Sequence, residues 1–226
     1  MNADVVVQNL PYLMRGLRLT VLITVVCMAA SLALGVFLAL LRRSALRPLS
    51  VAATAYIEVV RATPLLMVIF WFYFLLPLLT GRRLEPLVAG GVAMIAFQST
   101  YVAEIVRAGI VSVRAGQLEA AQALGLPYRT AMWRVVLPQA FRNMLPALVA
   151  RAVALFKSTA LLYVIGVVEF FRAATIVNSR EFRPMEIFLF VAVVYLCCGM
   201  VASAIGAWLE RTMATEDLRL EASTAA

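Results

Sequence analysis

Histidine is absent from this chain of 226 residues. That removes the usual general base near neutral pH and the commonest metal ligand. Cysteine is scarce. Cys27, Cys197 and Cys198 each sit inside an apolar run, and the adjacent pair points in different directions from a helix. They suit core or lipid-facing positions and give neither a disulfide framework nor a zinc site. No Gly-x-x-x-x-Gly-Lys-Ser/Thr segment occurs, so there is no phosphate-cradling loop, and any ATP is bound elsewhere. Charge is also sparse, at 14% of residues against about 25% in an ordinary soluble domain. The 20 basic residues outnumber the 12 acidic ones for a net charge of +8. The arginines are spread among loops instead of forming one basic face, which fits anionic lipid headgroups better than nucleic acid. No catalytic residue, metal site or cofactor is expected in the chain.

What fills the sequence is hydrophobicity, 64% of residues with a mean hydropathy of +0.94. This is the composition of an integral membrane protein. A spanning helix needs about 20 mostly apolar residues. Five stretches meet that need, at about 17–41, 55–79, 87–111, 145–168 and 186–209. The expected fold is therefore all-α, a single transmembrane domain over 1–226. Arg15 and Arg18 imitate the basic start of a signal peptide, but the run after them is far too long for one. Pro64 interrupts the second stretch, and the charged tail from Glu210 is expected to fray. On the fifth stretch Gly199, Ser203 and Ala207 recur every four residues, a pattern that permits close helix packing in lipid. Five spans put the termini on opposite sides, and the arginine distribution does not say which is which.

The polar interval at 112–142 carries the most specific pattern. It reads Glu119-Ala120-Ala121-x-x-x-Gly125, nine further residues, then Val135-Val136-Leu137-Pro138. Gly116 can act as an N-cap, with Gln117 and Leu118 opening a helix and Glu119 at its third position, where a carboxylate suits the helix dipole. Ala120, Ala121 and Ala123 favour helix and add little bulk. Gly125 can take the left-handed conformation that ends a helix, and Pro127 can start the next. Trp133, Val136 and Leu137 are expected on one side of that second helix. The whole reads as two short helices joined by a sharp bend.

This ordered set resembles the EAA signature of permease subunits of bacterial ABC importers. The resemblance continues in Tyr56-x-Glu58-x-x-Arg61-x-Thr63-Pro64-Leu65, in Tyr101-x-Ala103-Glu104-x-x-Arg107-x-Gly109-Ile110, and in Val164-Ile165-Gly166. It also covers an outer loop, Asn178-Ser179-Arg180-x-Phe182-Arg183-Pro184. The subfamily it resembles is the histidine/glutamine/glutamate type of polar-amino-acid permease, from about Tyr12 to Leu209. The resemblance implies a five-helix core paired with a second permease chain, identical or related. It implies ABC ATPase subunits holding ATP and Mg, and an extracytoplasmic amino-acid-binding protein. Glu119, Ala120, Ala121, Gly125, Leu137 and Pro138 would form the coupling contacts with the ATPase. The chain would lie in the bacterial inner membrane, surrounded by lipid, with its N-terminus outside and its C-terminus cytoplasmic. It would not be an enzyme by itself.

Charges within the apolar stretches are costly and mark candidate sites. Glu58 with Arg61, and Glu104 with Arg107, are three residues apart, the spacing of local ion pairs with a structural or gating role. Arg151 and Lys157 lie six apart, about 600° of helical rotation, and so face different directions. Each can reach a translocation path or pair with Glu58 or Glu104. Phe156-Lys157-Ser158-Thr159-Ala160-Leu161 resembles a family segment that usually carries aspartate where Ser158 stands, and Arg151 stands where glutamine is usual. These departures make the local charge more positive and point to an acidic or neutral polar amino acid, glutamate or aspartate first. Arg151, Lys157, Ser158 and Thr159 are the substrate-path candidates. The rival reading is an ion-coupled secondary transporter using Glu58 or Glu104, against which stands the lack of a repeated half.

Overall fold

A computed structural model describes residues 4–224, with side chains described as far as Thr212 except Glu210. The described residues form helices joined by short turns, as composition required. Helix α1 is Asp4–Arg42 and α2 is Arg47–Ala62. Helix α3 is Leu65–Thr80, α4 is Pro86–Ser112, and the short α5 is Ala115–Ala123. Helix α6 is Tyr128–Ile165, with its last turns, from Thr159, tightened to a 3-10 form. Helix α7 is Phe170–Glu181 and α8 is Pro184–Thr224. Four of these are long and apolar enough to cross a membrane, and α2 with α3 counts as a fifth if the bent pair is one span.

Helix α4 is the centre of the bundle. Its most apolar window is 61% buried, far more than that of any other span, and it packs on α1, α2, α3 and α6. The contact with α1 follows from small residues at helical spacing. Cys27, Ser31 and Gly35 are buried on the face of α1 toward α4, with Cys27 and Ser31 donating to the Gly91 and Ile95 carbonyls, whereas Gly16 and Thr20 meet the start of the helix at Phe170–Glu181. At Gly35 a β-carbon would stand 2.6 Å from the Val102 side chain, so only glycine permits this approach. Close backbone packing of this kind replaces the hydrophobic drive that lipid does not supply.

The structure moves several expected boundaries. Helix α1 starts at Asp4, not at Leu17, because its first turns carry Val5 and Leu13 into a core with Phe170, Val177 and Ile187. The second stretch is not one helix across 55–79: α2 and α3 meet at 110°. Thr63 is extended, at φ −92° and ψ 137°, as a residue before proline must be. The third stretch agrees to within a residue at each end. The fourth apolar stretch covers 145–168, but its helix begins at Tyr128 and stops at Gly166, which turns left-handed at φ 88°. The fifth starts at Pro184, and its helix continues beyond Leu209 through Thr224 where a frayed tail was expected.

Two local irregularities have one cause. Leu76 N–H bonds to Trp71 C=O and Leu137 N–H bonds to Met132 C=O, each five residues back. Proline follows immediately in both cases, Pro77 and Pro138. Proline lacks an N–H and its ring crowds the carbonyl four residues back, so the preceding turn widens to a π turn.

The interval between α6 and α8 contains a helix that sequence reading did not assign. Glu169 is fully buried and caps α7, accepting from the Phe171 and Arg172 backbone N–H groups at 2.9 and 2.7 Å. Thr20 of α1 also donates to this carboxylate at 3.4 Å and accepts from Phe170 N–H at 3.1 Å. The pairing fixes α7 against α1.

The small-residue stripe of α8 packs within the subunit only in part. Gly199 and Gly206 are buried, whereas Ser203 and Ala207 are exposed. Gly206 packs directly on Val149 of α6. Seven residues is almost two whole turns, so 199 and 206 share a face that 203 and 207 leave.

Candidate translocation cleft and coupling loop

At one end of the bundle the ends of α1 and α2 meet the C-terminal half of α4, and their charges converge on one carboxylate. Glu104 accepts from Arg42 of α1 and from Arg107 Nε at 2.9 Å, and Arg61 Nη1 of α2 lies 3.7 Å away. Glu104 with Arg107 is the local pair that the spacing of three anticipates. Glu58 with Arg61 is not. Glu58 points outward, 67% exposed, and its partner is Arg42 at 3.8 Å. The reason is tertiary: Arg61 is drawn toward the less exposed Glu104, and Arg42 arrives from another helix. Nothing in the local sequence of α2 or α4 announces Arg42.

Beside this cluster an open cleft of about 590 Å³ lies between α4 and α6, with Arg61, Tyr101, Glu104, Arg107, Asn143 and Arg151 among its walls. That volume is in the range of small-molecule sites. Arg151 occupies it in an unusual electrostatic state. Its Nη2 donates to Gln98 Oε1, and its Cζ lies 3.9 Å from the Tyr101 ring centroid. Its Nε is buried without an acceptor. Among the described residues no carboxylate comes within 4.0 Å of Arg151 or Lys157. The pairing of either with Glu58 or Glu104 is therefore not found, since those acids are taken by Arg42, Arg61 and Arg107.

The other path candidates lie elsewhere on α6. Lys157 is exposed, and its Cε lies 3.9 Å from where a β-carbon on Gly199 would stand, so its stem leans toward α8. Arg151 leans toward α4. Between them runs a face with Ala147 and Ala150 exposed and Ala154 half-buried. Ser158 donates to the Ala154 carbonyl at 2.9 Å, and the fully buried Thr159 to the Phe156 carbonyl at 2.7 Å. Neither hydroxyl belongs to the cleft wall that holds Arg151. Gln98 was not singled out in the sequence. Its signal was faint: a primary amide inside an apolar run.

The interval between α4 and α6 folds much as its residues suggest, with corrections at its start and end. Helix α5 begins at Ala115 after Arg114, so Gly116 is inside it and Glu119 is at its fifth position, exposed. The end is as expected. Gly125 has φ 83°, Leu126 N–H bonds to Ala121 C=O at 3.1 Å, and Gly125 N–H bonds to Gln122 C=O at 2.9 Å. This paired closure needs a left-handed residue, which glycine takes at least cost. Ala121 is buried while Ala120 is exposed. Pro127 is the cap of the next helix and not its first residue.

The second helix of the loop is not separate. It runs through the π turn at Met132–Val136, which ends at Leu137 and Pro138, and continues into the fourth span. Nor do Trp133 and Val136 share a side: Trp133 is 73% exposed and Val136 is buried, because the π turn rotates the face between them. A second cavity of about 240 Å³ underlies α5, bounded by Arg43, Val113, Leu118, Tyr128 and Met132. Helix α5 lies against the π turn at Met132–Val136, from which α6 runs on to Arg151 in the cleft wall.

Residues 31–215 match the family model for the binding-protein-dependent transport system inner membrane component. The glutamate/aspartate import permease GltK of Escherichia coli O6:H1 is 38% identical over 92% of this chain and 96% of its own length. The arginine transport system permease ArtQ of Bacillus subtilis is 35% identical over 96% and 100%. A crystal structure of an amino acid ABC transporter with histidines superposes at a TM-score of 0.89 and 34% identity, over 94% of this chain and 99% of that one. The chain belongs to the family of inner-membrane permease components of binding-protein-dependent transport systems, as an amino-acid ABC importer subunit.

Proposed function

We propose that this subunit carries an acidic amino acid, glutamate or aspartate, and that Arg151 is the contact for a substrate carboxylate. The observation that supports this most is a half-buried guanidinium facing a cleft with no carboxylate against it among the described residues. A guanidinium offers two-point binding to a carboxylate, and the low dielectric makes the missing counter-charge costly. Lys157 lies farther along the same helix as a second positive group on the path. Ser158 and Thr159, whose hydroxyls bond to backbone, have a lesser part. The names of similar proteins do not decide the substrate, since they include a glutamate/aspartate permease, a probable glutamine permease and an arginine permease.

The mechanism proposed is alternating access. A binding protein delivers substrate from outside, and two ATPase subunits bind ATP and Mg, for which this chain has no loop of its own. Their closure acts on α5 through Glu119, Ala120, Ala121 and Gly125, and passes through Leu137 and Pro138 into α6. A second permease chain completes the path. In this arrangement the N-terminus is outside and the C-terminus cytoplasmic. The exposed ends of the Glu104 cluster then face the cytoplasm and tie α1, α2 and α4 together there. A proton or sodium site at Glu104 has little to support it, because three arginines already surround that carboxylate.

The test is ATP-driven uptake of labelled glutamate into vesicles holding the reconstituted complex and its binding protein, with aspartate, glutamine and arginine as competitors. Competition by aspartate and not by arginine is expected, with Arg151→Gln weakening glutamate transport. An unchanged affinity for every amino acid in Arg151→Gln would remove the carboxylate contact.

A further inference from the structure

We propose that Gln98 sets the charge preference of the cleft: it anchors Arg151 without neutralising it, and so leaves the guanidinium's charge for a ligand carboxylate. This deepens the acidic-substrate reading above and rests on it. Gln98 is 1% exposed and bonds twice to a single residue. Its Nε2 donates to the Arg151 backbone carbonyl at 3.2 Å, and its Oε1 accepts from Arg151 Nη2. The first bond fixes the backbone of α6 against α4, and the second fixes the guanidinium. Tyr101, three residues on along the same face of α4, supplies a π face to the same group at 3.9 Å.

Both supports are neutral. The face of α4 carries Gln98, Tyr101 and Glu104 at intervals of three, and the acid is the member that does not touch Arg151. Glutamate matches glutamine in size, so a carboxylate at 98 would supply a full counter-charge in the same space, at the loss of the bond donated to the Arg151 carbonyl. A cation already paired in a low-dielectric site attracts an incoming carboxylate far less. The amide thus gives position while withholding charge, which favours ligands with an extra carboxylate, glutamate and aspartate, over glutamine and asparagine. Selectivity here comes as much from the pairing that is withheld as from the contact that is made.

The experiment compares wild type, Gln98→Glu, Gln98→Met and Arg151→Gln as the full complex in vesicles with the same binding protein. KM and maximal rate are measured for labelled glutamate and glutamine. The binding protein's own preference cancels between variant and wild type. Gln98→Glu is expected to raise the glutamate KM about tenfold or more, the scale of a charge-assisted bond, and to flatten the glutamate-over-glutamine ratio. Gln98→Met keeps the charge uncompensated and is expected to retain that ratio, with weaker affinity. A residue that merely anchors α6 through its hydrogen bonds would give the opposite order, with methionine, which loses both bonds, doing the greater harm.

Gln98→Glu behaving as wild type while Arg151→Gln is impaired would overturn the role of Gln98 and leave the acidic-substrate reading standing. Loss of the glutamate preference in Gln98→Met would overturn it too, even if Gln98→Glu fails to assemble with its ATPase. A wild-type complex that carries no acidic amino acid would overturn both.

Discussion

Arg42, at the end of α1, and Glu104, within α4, are joined across 62 positions of sequence, and that contact closes the base of the bundle. It is the tie between the first span and the central one, and Arg61 and Arg107 lean on the same carboxylate.

Removing that carboxylate leaves three arginines facing each other. Glu104→Gln is expected to lower stability by about 2 kcal/mol, less than for a fully buried ion pair because the site is partly open. Glu58→Gln, at a 67% exposed site, is expected to change it by less than about 0.5 kcal/mol. Melting temperatures in detergent read both. Equal effects from the two variants would mean that Glu104 does not tie the helices.

The turn at Gly125 imposes a backbone rule. With φ at 83°, Gly125→Ala is expected to cost about 1–2 kcal/mol, while Gly125→Asn costs less because asparagine tolerates the left-handed region. No heavy atom lies within 4 Å of a β-carbon there, so crowding within the subunit does not contribute. Gly125→Asp is expected to disturb ATPase association as well. Co-purification of the ATPase and transport-coupled ATP hydrolysis measure it, and wild-type coupling in all three variants would count against a contact at this turn.

Packing between α6 and α8 offers a comparison of two faces. Gly206→Val must push Val149 aside and is expected to cost about 1–3 kcal/mol. Ser203→Val, on the exposed face, is expected to leave the subunit's own stability within about 0.5 kcal/mol. If the serine variant proves the more damaging in the isolated subunit, the assignment of the two faces is reversed.

Glu169 holds the start of α7, and Glu169→Ala is expected to cost about 1–2 kcal/mol as a lost helix cap. The local sign is faster hydrogen exchange at the Phe171 and Arg172 amides, both of which bond to that side chain. Unchanged protection there would show that Thr20 and the surrounding core suffice.

Much of the turn at Gly125 was legible because its causes are local. Gly125 needs only its own φ and two backbone bonds, and the Pro64 break needs only the residue before it. The start of α5 was not legible to the residue, since Gly116 is a favoured cap residue whereas the observed cap, Arg114, has no cap preference and makes no side-chain cap bond. Helix α7 was missed because its cap is an acid whose other partner, Thr20, is 149 residues away. The cleft was partly visible: Arg151 and Glu104 stood out as charges in apolar runs, whereas Gln98 gained meaning only from what it touches.

The sequence by itself determined the class of the protein, the number of apolar stretches, the chain breaks at Pro64 and Gly125, and the family signature between the third and fourth spans. Those are set by composition, periodicity and local backbone sterics, which act over a few residues. Only the tertiary structure decided that Arg42 joins the central cluster and that Arg61 serves Glu104 and not Glu58, that α2 and α3 meet at 110°, and that Gly206 rather than Ser203 packs inward. It alone brought Gln98 and Tyr101 against a cation that has no counter-ion among the described residues. The physical reason is that electrostatic compensation and close packing depend on distance in space, and a span's neighbours in space lie dozens of residues away along the chain.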